Sequence, residues 1–278
     1  MGESKKGSRG RHADDACDWG VIGGTGLEVM DALRQPARIA IETPYGTPSS
    51  DVVVGELGGS QVAFLSRHGE EHALAPHQIN YRANMYALSR FTKSVVAVAA
   101  VGSIDPVLDS GELVVPNQII DYTWGREHTY SGMLPGDEVS EELLGDVLHV
   151  DFGEPYDASL RRQLLEAAAA AGVTVHDGGV YGATQGPRLE SAAEIDRLER
   201  DGCTIVGMTG MPETALAREL GLAYACCAVV VNPAAGRGEG EITLELIRGH
   251  LNTGMVSVNA VLLAMAGVSG SCATPSDM

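Results

Sequence analysis

The sequence predicts an α/β fold. Short apolar or alternating runs, the mark of β-strands, recur from Trp19 to Val231, and segments with helical apolar spacing lie between them. Strands alternating with helices along one chain pack as a sheet with helices against it. The composition agrees: 44% of the 278 residues are hydrophobic and 20% are charged, which is globular rather than disordered.

The elements follow in order. The first strand, 19–23, ends at a glycine cluster. Strands are predicted at 38–42, 52–57 and 60–65, then a helix over 78–91 and strands at 95–100 and 112–115. A helix over 157–171 carries the run LRRQLLEAAAAA and stops at Gly172. Strands at 173–176 and 178–184 precede a helix over 189–200, and a strand at 204–206 precedes one over 212–220, with Pro212 at its start. The apolar run 223–231 reads as a buried strand, and 242–267 as the last helix. Residues 122–150, rich in Gly, His and acidic residues and without a period, read as a long surface loop. One ordered domain, 19–267, is expected between disordered tails at 1–18 and 268–278; the first tail carries Lys5, Lys6, Arg9 and Arg11.

Composition also excludes functions. A net charge of −18 opposes binding to nucleic acid or to an anionic membrane through the bulk field, so any phosphate must be met by a local cluster of donors. No apolar run reaches the roughly 18 residues of a membrane-spanning helix, and no secretory h-region is visible. Five cysteines with no C-x-x-C spacing read as reduced thiols of a cytoplasmic protein.

Several strand ends carry residues suited to an anion or a heterocycle. Gly23-Gly24-Thr25-Gly26 lets backbone approach an anion, with a hydroxyl beside it; the plain reading is a tight turn. Arg67 and His68 follow another strand, and such a pair can fork two oxygens and add a donor. His68 and His72 also match the H-x-x-E-H pattern of a zinc hydrolase, which requires a helix; Gly69 and Pro76 oppose one. Glu190 falls in the first turn of the helix 189–200, where it either complements the helix dipole or faces a ligand. Met208 and Thr209 join a strand to a helix, and Asn232, just past the buried strand, can both donate to and accept from a planar heterocycle.

Taken in order, VIGGTG, RHGEEHALAPHQINYRAN, VGSIDP, TQGPRLES, GMTGMPE and VVVNPAAG resemble the trimeric purine nucleoside and methylthioadenosine phosphorylase family, from about Trp19 to Ala266. The resemblance implies a single-domain fold with a twisted, partly barrel-like mixed sheet flanked by helices, and a homotrimer with sites near subunit interfaces. It implies that Thr25, Arg67, His68, the backbone at Ala100 and Thr209 hold phosphate. By the same resemblance Met208 lines the ribose, while Leu189, Glu190 and Asn232 face the base. His68 and Asn232 are the groups expected closest to the chemistry. Leu244 and Ile247 are expected to line the 5′ pocket, and His128 and Tyr130 are candidates to reach a neighbouring site. No metal or cofactor is implied, and inorganic phosphate is the co-substrate. Two positions depart from the family: Ala99 stands where methylthioadenosine members usually carry Thr, and Leu189 where both subfamilies usually carry a stacking Phe.

The implied reaction is phosphorolysis of a 6-oxopurine nucleoside, with S-methyl-5′-thioinosine as the expected substrate. A 6-oxopurine offers N1–H as a donor and O6 as an acceptor, and Glu190 and Asn232 complement both. Methylthioadenosine phosphorylases carry Ser and Asp at these positions. The alternatives are a methylthioadenosine phosphorylase, a general purine nucleoside phosphorylase, a non-catalytic nucleoside-binding protein and a zinc hydrolase using His68 and His72.

Overall fold

The structure, a computed structural model, describes residues 17–24, 32–70, 73–131 and 148–269. The strands are β1 (Trp19–Gly23), β2 (Arg34–Ile39), β3 (Val52–Leu57), β4 (Ser60–Ser66), β5 (Ser94–Ser103), β6 (Leu113–Val115), β7 (Gln118–Asp121), β8 (Val175–Asp177), β9 (Val180–Ala183), β10 (Ile205–Gly207) and β11 (Ala223–Pro233). The α-helices are α1 (Tyr81–Ser89), α2 (Ala158–Ala170), α3 (Ala192–Arg200), α4 (Gly210–Glu219) and α5 (Leu244–Ser269).

The strands form one mixed sheet that forks at β5. Its path runs β2-β3-β4-β1-β5-β10-β9-β7, while β11 also pairs with β5 and leads through β6 to β8. The early part of β5 pairs with β1, its end pairs with β10, and its other edge pairs with β11 along nearly its whole length. A strand shared in this way bends the sheet toward a barrel, in keeping with the mixed α/β architecture expected from the resemblance.

The two central strands are apolar on both faces, as a sheet covered on both sides requires. Side chains alternate across a strand. Val95, Ala97 and Ala99 of β5 and Tyr224, Cys226 and Ala228 of β11 therefore enter one core, together with Met85 and Leu88 of α1 and Leu216 of α4. Val96 and Val98 of β5 and Ala225, Cys227 and Val229 of β11 enter the opposite core, with Leu160 and Leu164 of α2 and Val258 and Leu262 of α5. The long helix α5 lies close on β11: a Cβ at Gly254 would collide with Val229. Among the described residues no helix is long and apolar enough to cross a membrane.

Several boundaries differ from the sequence expectation. Cys17 and Asp18, assigned to a tail, are tied to the fold: Cys17 is buried and its amide donates to the Phe91 carbonyl at 2.6 Å, and the exposed Asp18 accepts at Oδ2 from the Gln61 amide at 2.8 Å. Helix α1 starts at Tyr81 because Asn80 caps it, accepting from the Ala83 amide at 3.1 Å. Strand β7 falls in a segment with no strand expectation. Its side chains are only half-buried or exposed, so it shows no apolar alternation, and it is held by backbone pairing to β9. Val268 and Ser269, assigned to the second tail, continue the last helix; the rest of the two expected tails, residues 1–16 and 270–278, lies outside the described residues.

Candidate active site

The parallel strands β4, β1, β5 and β11 are neighbours in the sheet. Residues at and just beyond their carboxyl ends open onto one cavity of about 250 Å³. This is the edge of an α/β sheet where ligands bind. Arg67, His68, Ala100, Leu189, Glu190, Met208, Thr209, Asn232 and Ile247, drawn from segments far apart in sequence, all line it. Ala100 is the one exposed residue of β5, because the cavity opens onto the strand there. Thr25 and His72 lie outside the described residues; the neighbouring Gly24 lines the cavity.

Arg67 is 2% exposed. Its Nε and Nη2 donate to the two Glu213 carboxylate oxygens, both at 2.8 Å. Nη2 also donates to the Ile22 carbonyl at 3.2 Å, and Nη1 to the Val98 carbonyl at 2.7 Å. Four of the five guanidinium N–H groups are thereby used. The fork that the sequence assigned to an anion instead closes on Glu213, and one Nη1 N–H remains to meet a ligand. Burial alone would lower the Arg67 pKa, but the adjoining Glu213 carboxylate outweighs it and the net shift is upward, so Arg67 stays charged. Glu213, fully buried, also accepts from the Tyr224 hydroxyl at 2.7 Å.

The His68 ring is fixed by its Nδ1, 2.9 Å from the Leu74 carbonyl. A carbonyl only accepts, so Nδ1 carries the proton. Local geometry opposes the zinc reading. Strand β4 ends at Ser66, and Gly69 has φ +75°, outside the conformation of the α-helix that would bring residues four apart onto one face.

Thr209 occupies the N-cap position of α4, yet its side chain makes no capping bond. The side chain is instead buried at the cavity wall.

The sequence placed Glu190 in a first helical turn; the structure moves it out. Helix α3 begins at Ala192, capped reciprocally by Ser191 and Glu194. Glu190 precedes the cap and has no part in it. Its Oε1 accepts from the Thr184 hydroxyl at 2.6 Å. Asn232 reaches the cavity through a β-bulge: β11 pairs Val230 with Val101 and then Asn232 with Gly102, skipping Val231. Gly102 leaves room for it, since a Cβ there would sit 3.3 Å from Asn232 Nδ2. One Nδ2 N–H donates to the Pro233 carbonyl at 2.6 Å; the second N–H and Oδ1 remain to meet a planar partner.

The apolar wall differs in part from expectation. Ile247, Leu251 and Met255 line the cavity at a spacing of four along α5, joined by Ile242 just before the helix. Leu244 does not line it. It is the first residue of α5, about 4.5 Å of helical rise before Ile247, and is 70% exposed. Two other candidates also resolve. Tyr130 is 1% exposed, its ring 4.7 Å from that of Tyr45 and its hydroxyl donating to the Arg82 carbonyl, so its side chain is held within this chain's own core. His128 is exposed. Burial pushes the Cys227 thiol up to about 12 and that of Cys226 higher still, which excludes both as thiolate nucleophiles at neutral pH.

Sequence reasoning missed Glu213 and Arg126, whose partners Arg67 and Met208 lie 146 and 82 positions away, and Tyr224 and Thr184, which bond Glu213 and Glu190 at separations of 11 and 6. It also missed Leu251 and Met255, which the four-residue spacing from Ile247 would have flagged.

Comparison with known proteins agrees with this geometry. Residues 18–266 match the model of the Phosphorylase superfamily. A protein of Pseudomonas syringae pv. tomato named probable S-methyl-5′-thioinosine phosphorylase is 49% identical over 252 residues, covering 90% of this chain and 99% of its own. The 6-oxopurine nucleoside phosphorylase of Pyrococcus furiosus is 42% identical over 224 residues, covering 80% of this chain and 82% of its own. Among solved structures, a methylthioadenosine phosphorylase from an antarctic soil metagenomic library superposes with a TM-score of 0.84 at 34% identity, covering 93% of this chain and 88% of its own.

Proposed function

We propose that this chain, which belongs to the phosphorylase superfamily, is a pentosyltransferase that splits S-methyl-5′-thioinosine with inorganic phosphate into hypoxanthine and 5-methylthioribose 1-phosphate. A phosphate oxygen bonds to C1′, the C1′–N9 bond breaks, and its electron pair leaves with the purine, which is protonated at N7. The protein's part is position and charge stabilisation. Phosphate is held by Thr25, Arg67, His68, the backbone at Ala100 and Thr209; Met208 lies along the ribose; Leu189, Glu190 and Asn232 take the base. Asn232 donates to O6 and accepts from N7–H as the base departs. Glu190 accepts from N1–H.

One observation carries the base assignment. Glu190 faces the cavity without any capping duty, one oxygen already taking the Thr184 hydroxyl. A carboxylate so placed offers a ligand lone pairs only, which suits a ring N–H and repels the N1 lone pair of adenine. The 5′ assignment is supported by Ile242, Ile247, Leu251 and Met255, four apolar side chains on one wall. A methylthio group gains from burial there, whereas a 5′-hydroxyl loses its water partners.

The test is a phosphorolysis panel of methylthioinosine, methylthioadenosine, inosine, guanosine and adenosine, with and without phosphate. Base release should require phosphate, and methylthioinosine should exceed inosine in kcat/KM. Release that is equally fast without phosphate overturns the phosphorylase reading. Equal efficiency on inosine overturns the methylthio preference and favours a general purine nucleoside phosphorylase.

The assembly we propose is a homotrimer. It is supported by the family resemblance and by exposed large apolar side chains such as Trp124, 72% exposed, and Leu148. Light scattering should give about three times 29.1 kDa; a fully active monomer refutes it. The compartment we propose is the cytoplasm, supported by five cysteines whose spacing offers no disulfide framework. Hypoxanthine release there would serve purine salvage.

A further inference from the structure

Arg126 lies in the segment that reads from sequence as a polar surface loop, yet it is 8% exposed. Among the described residues its hydrogen bonds go to carbonyl, amide and phenol oxygens and to no carboxylate. Nη1 donates to the carbonyls of Met208 at 2.9 Å and Met211 at 2.6 Å and to the Tyr81 hydroxyl at 3.1 Å. Nη2 donates to the carbonyls of Gln185 at 2.8 Å and Thr184 at 3.3 Å, and Nε to the Gln185 side-chain oxygen at 3.2 Å. The guanidinium also lies over the Tyr81 ring, 5.3 Å from its centroid.

These partners share one property. Thr184 and Gln185 begin the loop that carries Leu189 and Glu190 to the cavity; Met208 precedes Thr209 in the other, and Met211, at the start of α4 but with non-helical φ −118° and ψ 141°, follows it. Neither loop can satisfy these carbonyls through sheet pairing, because β9 ends at Ala183 and β10 at Gly207. From the geometry we infer that Arg126 is a positioning residue: one buried cation gathers the carbonyl dipoles of both loops and sets the base-facing half of the cavity against the half expected to hold phosphate. Arg suits this task because its planar fork directs five donors in fixed directions; the three donors of a lysine ammonium diverge from a single atom and cannot span both loops. The chemistry named here rests on the phosphorylase reading, whereas the tethering of the loops does not.

The experiment compares wild type with R126K, which keeps the charge and loses the fork, at matched folded fraction. Steady-state kinetics should show KM raised about tenfold or more for both nucleoside and phosphate, with kcat also lowered, because displacements of about 1 Å in positioning groups cost up to about a hundredfold. Amide hydrogen exchange should rise in the peptides covering 183–190 and 207–211. Unchanged exchange in both peptides overturns the inference, as does raised exchange with both KM values unchanged. If R126K does not fold, Q185A, which removes the side-chain oxygen held by Nε, should raise exchange at 183–190 and KM for the nucleoside; no change in either overturns it. A wild-type enzyme that releases no base with phosphate defeats the functional reading alone, and the exchange data still decide the role of Arg126.

Discussion

Glu213→Ala should destabilise the protein by about 3–5 kcal/mol, the usual cost of breaking a buried ion pair by removing one partner. The loss arises from what remains behind. Arg67 would keep its charge at 2% exposure with, among the described residues, the Ile22 and Val98 carbonyls as its remaining hydrogen-bond partners, and the Tyr224 hydroxyl would lose its acceptor. Denaturant titration of the variant measures it directly, and a loss under about 1 kcal/mol would show that the pair is not strongly coupled to folding. A second variant separates stability from function. Replacing both partners by apolar residues of similar size, Arg67→Met with Glu213→Leu, should recover most of the stability, since well-packed apolar substitutes for buried ion pairs are often neutral or stabilising. It should not recover use of phosphate. A double variant with wild-type phosphate KM would remove Arg67 from the site.

This pair also shows where sequence reading stops. Arg67 at a strand end was legible as an anion ligand, but its fork belongs to a residue 146 positions away. Periodicity describes one element at a time and is silent on which side chains the sheet brings together. The same limit hid Arg126, whose loop has no period, while its burial is decided by two other loops. The β-rich centre was legible because its strands are apolar on both faces. The edge strand β2 shifted: predicted at 38–42, it runs from Arg34 to Ile39, is mostly exposed, and pairs only with β3 on its ladder. Its pairing rests on backbone bonds, to which a hydrophobic pattern is blind. Glu190 was legible as a residue type but not in its place: the helix expected from 189 starts at Ala192, where the capping box of Ser191 and Glu194, an S-x-x-E pattern, sets it.

That three-residue shift of the helix start sharpens the expected selectivity. With the cap supplied by Ser191 and Glu194, the reading in which Glu190 merely complements a helix dipole loses its basis. Methylthioinosine should then be preferred over methylthioadenosine through two contacts of roughly 1–3 kcal/mol each, about fivefold to 150-fold apiece. Asn232→Asp replaces an amide able to donate to O6 by a carboxylate that only accepts, and should lower methylthioinosine turnover and narrow the ratio between the two substrates. Glu190→Gln supplies a side chain that can donate as well as accept, so it should relax discrimination at N1. Thr184→Val removes the hydroxyl that engages Glu190 Oε1 and should weaken selectivity less than either, because it acts through Glu190 rather than on the base. The kcat/KM ratio of the two nucleosides for wild type and the three variants tests the whole scheme. A ratio untouched by Asn232→Asp and Glu190→Gln removes both from base recognition. A wild-type preference for methylthioadenosine overturns the substrate while leaving phosphorolysis in place: the cavity would then have to set the N1 lone pair of adenine beside the lone pairs of the Glu190 carboxylate.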